Sequence, residues 1–312
     1  MKKILLFASV FAVTLLTALL LFALPASAAG GTWGELTWTF NRSTGELVIS
    51  GNGDMNDWAS QDSDTWHAYT NSIKSVTIEE GVTRIGKGAF YGCINLTQIT
   101  IPSTVTSIGD AAFYSCSSLT EVHIPESVTD IAAKAFQDCR SLERMILPDS
   151  VTSIGNYAFS NCASMTSIMI PNSVQKIEKE AFRGCTSLTS VTLPSSIKSI
   201  GYHLFYGCTA LTEITIPNSI KTIDALAVEG CTSLTTVYYW GTQEQWDAVI
   251  VGNGNEPILS TLRIMGESEP PMQEQPSDDK KEDGCGSVIS GGIGMMAIIL
   301  LVGGAVVSKK KK

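Results

Sequence analysis

Histidine and positive charge are both scarce in this chain of 312 residues. It has three histidines, His67, His123 and His203, and 21 lysines and arginines against 30 acidic residues, so the net charge is −9. No stripe of basic residues forms before the four C-terminal lysines. Because nucleic-acid binding requires a basic face, the composition argues against a nucleic-acid partner.

Motifs for catalysis and cofactor binding are missing as well. The sequence contains no HExxH, no GxSxG and no glycine-rich phosphate loop. The acid-rich segment Gly53–Asp64 could hold calcium, but it lacks the regular spacing of a calcium loop and also fits a solvated loop. The sequence therefore predicts no enzymatic activity, no cofactor and no metal site.

Cysteine, by contrast, returns every 23 residues, at Cys93, Cys116, Cys139, Cys162, Cys185, Cys208 and Cys231. With cysteine as position 1, the unit reads C-x-x-L-x-x-[IVM]-x-[IL]-P-x-x-[VI]-x-x-I-x-x-x-A-F-x-x. An earlier unit from Thr70 keeps the apolar register but has Glu79 in place of the proline. A fixed period of this length indicates a repeat solenoid.

Each unit predicts one coil of that solenoid. Apolar residues at positions 7 and 9 alternate with polar ones, as in a short strand, and the proline at position 10 ends the strand. The Gly, Asn, Asp or Ser before each cysteine suits a tight turn. Since one coil cannot bury its apolar edge alone, about eight coils should stack about 4.8 Å apart and form a parallel β-sheet on one face.

The unit CTSLTSVTLPSSIKSIGYHLFYG resembles the repeats of BspA-like bacterial leucine-rich repeat proteins, which share C-x-x-L, I-P and A-F at these positions. The flanking segments GELTWTFNRSTGELVISGNGDMNDW and YYWGTQEQWDAVIVGNGNEPILSTLRI are similar to those that precede and follow such arrays. Departures include Met165 for leucine, and Leu204-Phe205 and Ala227-Val228 for the Ala-Phe pair. The resemblance implies a leucine-rich repeat fold and attachment to host or bacterial surfaces.

Three sequence patterns predict the domain boundaries of residues 1–240. Residues 1–28 have the charged, apolar and small-residue parts of a secretory signal peptide, although an uncleaved anchor is an alternative. Residues 29–69 predict an N-terminal cap built on a β-hairpin, because apolar residues alternate on both sides of the NRSTG turn. The repeats then predict a solenoid over 70–240.

The C-terminal part predicts a cap and an anchor. Residues 241–265 would cap the open sheet edge, and 266–285 read as a disordered acidic and proline-rich linker. The apolar stretch 286–308 predicts a single transmembrane helix, and the lysines at 309–312 place its end in the cytoplasm. The expected location is the cell surface, with the ectodomain outside the cytoplasmic membrane. The alternative is a processed sorting signal, cut or lipidated at Cys285, although no LPxTG-like motif precedes it.

The cysteine column is expected to consist of buried, reduced thiols. Metal sites need ligands that converge, whereas these thiols form one straight column without a matching histidine column. Parallel Cβ vectors do not readily give a disulfide torsion, and seven thiols cannot all pair among themselves. A small, weakly polar side chain at a tight corner is therefore the favoured interpretation.

Positions 6 and 8 of each coil flank the buried position 7 and should point outward. Position 8 mostly carries threonine, but three consecutive coils have His123, Ile146 and Met169, beside Glu121, Arg144 and Ser167 at position 6. An apolar strip with polar neighbours indicates an interface, although drifting repeats could also place an Ile and a Met outward by chance. The sequence thus predicts a non-enzymatic binding module or adhesin for a protein or glycan on another cell or in the matrix. A structural envelope spacer, or a scaffold that delivers a separate enzyme, stays open.

Overall fold

The computed structural model describes residues 27–58 and 65–266, all of which belong to one compact unit. The predicted transmembrane segment 286–308, its lysine tail, Cys285 and almost all of the predicted signal peptide and linker lie outside these residues.

The N-terminal cap consists of three antiparallel strands, β1 (Ala28–Trp33), β2 (Leu36–Asn41) and β3 (Glu46–Gly51). Leu36, Trp38 and Phe40 alternate with exposed residues along β2 and are buried, so one face of this unit packs on the solenoid. The expected hairpin is therefore part of a larger unit with β1 as its outer strand. Because β3 pairs in parallel with the first coil strand, the cap continues directly into a solenoid sheet.

Most coils contribute two short parallel strands, which lie on two faces. The first-face strands, at positions 6 to 8, are β5 (Ser75–Ile78), β7 (Gln98–Thr100), β9 (Glu121–His123), β11 (Arg144–Ile146), β14 (Ser190–Thr192), β16 (Glu213–Pro217), β18 (Thr236–Trp240) and β20 (Leu262–Ile264). The second-face strands, at positions 15 and 16 in the regular coils, are β4 (Gly53–Asp54), β6 (Val82–Ile85), β8 (Ser107–Ile108), β10 (Asp130–Ile131), β12 (Ser153–Ile154), β13 (Lys176–Ile177), β15 (Ser199–Ile200), β17 (Thr222–Ile223) and β19 (Ile250–Val251).

The expectation of a sheet on one face is therefore wrong, although a β-solenoid of about eight coils fits the structure. The isoleucine at position 16 does more than return the chain to the core. Its neighbour at position 15 points outward, so the pair forms a minimal strand that pairs with the same positions of the adjacent coils, as Ser153 and Ile154 do with Lys176 and Ile177. Two-residue strands carry too little alternation to be recognised in sequence.

Both sheets are interrupted. Within residues 65–266, no strand pairing joins β7 to β9 on the first face or β13 to β15 on the second. The coil from Cys162 has no first-face strand, and on this face it joins its neighbours through two isolated bridges, Ile146 with Met169 and Ser167 with Ser190.

The turn side of the coils is held by aromatic stacking and left-handed backbone. The position-21 rings lie nearly parallel with centroids 5.1 to 5.8 Å apart, from Phe90 through Phe113, Phe136, Phe159 and Phe182 to Phe205. The residue before each cysteine has a φ between 58° and 78°, which explains the glycine at Gly92, Gly184, Gly207 and Gly230 and the small polar residues elsewhere. A short 3₁₀ helix, Trp66–Tyr69, precedes the first coil and buries Trp66 against this stack.

The C-terminal segment continues both sheets and adds two short helices, α1 (Gln243–Asp247) and α2 (Glu256–Thr261). Thr242 and Gln245 form a reciprocal capping box that fixes the start of α1. Strand β19 extends the second face and β20 the first. Ile250, Leu259 and Met265 are 71%, 54% and 41% exposed, so the described residues cover this end of the solenoid incompletely.

The transmembrane helix predicted over 286–308 stays a prediction. Its segment lies outside the described residues, and across 27–58 and 65–266 no helix is long and apolar enough to cross a membrane. The longer helix in this part of the chain, α2, has six residues.

Candidate binding surface on the first face

The six residues singled out by the sequence lie together on the first face. In the pairing of β9 with β11, Glu121 is directly beside Arg144, and His123 is directly beside Ile146. The isolated bridge from Ile146 to Met169 extends this row by one coil, and Ser167 lies in the adjoining column. Between the two columns, Val122, Met145 and Ile168 point into the core and are 2–3% exposed. Strand alternation therefore directs all six side chains away from the core.

Their exposure is uneven. The side chains of Glu121, His123, Arg144 and Ser167 are exposed, whereas Ile146 and Met169 are half-buried. Ile146 and Met169 thus expose less apolar surface than two fully exposed side chains would. The charged pair at position 6, Glu121 and Arg144, borders this strip. This arrangement, an apolar centre with a polar border, is typical of small interaction surfaces.

The cysteine column does not contribute to this surface. All seven cysteines of the repeats are free and buried. Six of them donate a weak hydrogen bond from Sγ to the carbonyl of a position-21 residue in the layer below, at 3.1 to 3.3 Å. The thiols therefore pack the corner and connect adjacent coils.

The three histidines lie in separate environments. His67 stacks on Trp58 in the N-terminal cap, and His203 lies 3.5 Å from a Glu229 carboxylate oxygen on the turn side. His123 is on the first face. In the part of the chain that the structure describes, no group of three or more His, Cys, Asp or Glu residues could hold a metal ion.

The acid-rich segment Gly53–Asp64 is described only as far as Trp58. Asp54 accepts a hydrogen bond from Thr83, and Asp57 accepts from the Arg84 side chain and the Lys87 backbone. The Lys87 hydrogen bond, aided by Arg84, lowers the pKa of Asp57. These two carboxylates fasten the cap to the first coil.

One buried polar cluster has no signal in the repeat pattern. Glu180 is 5% exposed with a left-handed backbone, and it accepts hydrogen bonds from Tyr157 at 2.5 Å and Arg183 at 2.7 Å. Burial raises the pKa of this carboxyl, but the Tyr157 and Arg183 contacts outweigh burial and lower the pKa overall. The cluster ties the coils from Cys139 and Cys162 together on the turn side, away from the first face.

Comparisons with known proteins agree with this architecture. The family model described as BspA type leucine rich repeat region matches residues 63–166 and 152–248 with six copies, which together span 186 of the 312 residues. No curated protein matches the chain.

Two solved structures illustrate the similarity in fold. A leucine-rich repeat protein from Bacteroides ovatus is 32% identical, with 67% of this chain and 55% of that chain covered and a TM-score of 0.53. A leucine-rich repeat protein from T. pallidum is 27% identical, with 66% and 91% covered and a TM-score of 0.51. The chain thus spans just over half of the Bacteroides ovatus protein and most of the T. pallidum one. Repeat sequence, coil geometry and the matching family model together place the chain in the BspA-type leucine-rich repeat family.

Proposed function

We propose that this protein is a non-enzymatic binding module that acts outside the cell, as an adhesin or docking protein for a protein or glycan partner. The observation that carries the proposal is the cluster on the first face, where the half-buried Ile146 and Met169 lie in one row with His123 beside the exposed Glu121 and Arg144. A solenoid holds such side chains on a stiff frame, so little conformational entropy is lost when a partner binds.

An extracellular location is supported by the signal-peptide pattern of residues 1–28 and by the family's association with surface attachment. The buried thiols are compatible with export, since their desolvation limits reaction with external oxidants. A binding role also suits a chain whose sequence lacks the motifs of catalysis.

The test starts with a binding screen of residues 29–265 against protein and glycan arrays. A binding module should retain a saturable partner, and a pure spacer should retain none. If no partner is found across both arrays under conditions in which the protein is folded, the proposal is wrong.

Site-directed changes then locate the surface. We expect Ile146→Thr combined with Met169→Thr to weaken binding at least about tenfold, because the apolar centre of the surface is lost while the residue preferred in that column is restored. The matched control is Gln175→Thr combined with Lys198→Thr, which restores threonine at position 14 on the second face. The control should bind normally, and both variants should keep the wild-type melting temperature. Unchanged affinity in the first variant would show that binding occurs elsewhere.

A further inference from the structure

Ile99 on β7 departs from the burial pattern of its column. It is half-buried, whereas the other first-face residues at position 7 are 0–3% exposed: Val76, Val122, Met145, Ile168, Val191, Ile214 and Val237. Ile99 is an ordinary core residue by type, so the difference arises from its surroundings.

The surroundings differ because the first sheet is interrupted next to this residue. Strand β7 pairs with β5 on one side, but no pairing joins it to β9 on the other. The residues on the far side of the interruption are Glu121 and His123, the first members of the candidate surface. The interruption and the candidate surface are therefore adjacent.

The combined surface extends over the coils from Cys93 to Cys162, three steps of about 4.8 Å, or about 14 Å. That length matches about five residues of an extended polypeptide, at about 3.4 Å per residue, and because every second side chain faces the sheet, about three of them contact this surface. The surface offers apolar contacts near both ends, from Ile99 at one end and from Ile146 and Met169 at the other. Between Ile99 and Met169, the negative side chain of Glu121 lies next to the positive side chain of Arg144.

Building on the proposed function, we infer that the partner is a protein that presents an extended segment to this face. One apolar side chain of the segment contacts Ile99, and a second contacts Ile146 and Met169. Between them, the middle side chain of the segment is charged and faces Glu121 if it is basic or Arg144 if it is acidic. Charge complementarity of this kind fixes orientation more than it adds affinity.

A polypeptide fits these contacts better than a glycan does. Sugars commonly pack their apolar faces on aromatic rings, and at positions 6 and 8 of these four coils the only ring is the imidazole of His123. The flexible side chain of Met169, by contrast, can adapt to the side chains of a peptide. The exposed tyrosines Tyr91 and Tyr202 belong to the turn side of the coils and not to this face.

The experiment uses the chain from Ala29 to Lys312 and short fluorescent peptides in which two apolar residues lie four positions apart, with either Lys or Asp midway between them. We expect saturable binding, measured by fluorescence polarisation, with one of the two charges preferred at least about fivefold, because the middle side chain lies beside Glu121 or Arg144 and like charges repel. Thr100→Arg, an exposed change beside Ile99 that leaves the core intact, should weaken binding at least about tenfold. The matched control is Thr77→Arg, in the same column one coil before β7, and it should bind normally. Thr215→Arg, also in this column, is unsuitable because Thr215 is buried.

A glycan array is run in parallel with the same variants. If glycans bind, lose affinity in the Ile146→Thr, Met169→Thr variant and no peptide binds, the protein partner is wrong while the binding function stands. Peptide binding that is insensitive to Thr100→Arg overturns the role of Ile99. Absence of peptide binding contradicts this inference, whereas the binding function is contradicted only if the protein and glycan arrays also retain no partner.

Discussion

The repeated cysteine is explained by the corner that it occupies. The carbonyl of Phe90 accepts the backbone N–H of Cys93 in its own turn and the Sγ–H of Cys116 from the next layer, and the same double contact recurs along the column. A smaller residue would leave a void and lose this contact, and a larger one would not fit between close-packed coils. Burial raises the pKa of the thiols, to about 12 for Cys93, Cys185 and Cys231, so the reactive thiolate is essentially absent at neutral pH.

This burial predicts an alkaline loss of stability. An unfolded thiol loses its proton near its ordinary pKa of 9.0, whereas folded Cys185 keeps it to about 12. The stabilisation is therefore fully present below pH 9 and is lost as pH rises from 9 towards 12, by up to about 1.4 kcal/mol per pH unit for each thiol. Denaturant unfolding measured from pH 7 to pH 10.5 should show this decline.

Cys185→Ala isolates the contribution of one thiol. The substitution should lower the free energy of unfolding by about 1 kcal/mol at pH 7, because it leaves a small cavity. It should also make the fall of the unfolding free energy with pH above pH 9 less steep, by the contribution of one proton. An identical slope in the variant and the wild type would contradict the buried, protonated thiol.

At the scale of the elements, the distance between coils decides which side chains the second face tolerates. A Cβ added at Gly155 would lie 2.7 Å from the backbone nitrogen of Ala133, so the two coils approach too closely there for any side chain. At Gly201, the same position of a later coil, the nearest atoms are 3.5 Å away. Gly201 follows β15, which is not paired to β13, so the looser spacing coincides with the interruption of the second sheet.

This difference predicts opposite outcomes for one substitution. Gly155→Ala should cost about 1–3 kcal/mol, because backbone atoms of the neighbouring coil must move. Gly201→Ala should be neutral or stabilise by about 0.5 kcal/mol, because alanine has less conformational freedom than glycine in the unfolded chain. Thermal and denaturant unfolding of the two variants provide the comparison, and equal costs would show that the second sheet is evenly spaced.

At the scale of the molecule, we expect the free energy of unfolding to be close to the sum of a contribution from each coil and a contribution from each contact between neighbouring coils. The end coils have a neighbour on one side only, so they should unfold most readily. The N-terminal end is covered by the three-stranded cap, whose Trp33 and Trp38 rings contact Trp66. Within residues 65–266, the C-terminal end carries α1, α2 and the edge strands β19 and β20, with exposed apolar residues beside them. Hydrogen exchange should therefore be faster at the C-terminal end.

The proposed extracellular role predicts that the solenoid is accessible from outside the cell. Protease added to intact expressing cells should release solenoid fragments that mass spectrometry can identify. A cytoplasmic protein in the same cells should stay intact, and lysed cells provide the control for cleavability. Complete protection of the protein on intact cells would contradict an extracellular location.

The repeat, its period, the parallel strand at position 7, the buried cysteine column and the family could all be predicted from the sequence, because each of these depends on local patterns that every coil repeats. A residue's preference for a strand or a turn is weak by itself. When the same residue recurs 23 residues away, the stacked coils make the same contact repeatedly and stabilise that local structure. The outward direction of Glu121, His123, Arg144, Ile146, Ser167 and Met169 followed for the same reason, since strand alternation is a local property.

Four features could not be predicted from the sequence: the second parallel face, the third strand of the N-terminal cap, the interruptions beside β7 and β13, and the partial exposure of Ile99 and Ile146. These features depend on how closely two coils approach, which is set by the packing of many side chains across the interface and not by any single repeat. Two-residue strands such as Ser153–Ile154 exist only because a neighbouring coil supplies their hydrogen-bonding partners. A strand of that length has no independent stability, so its sequence alone cannot reveal it.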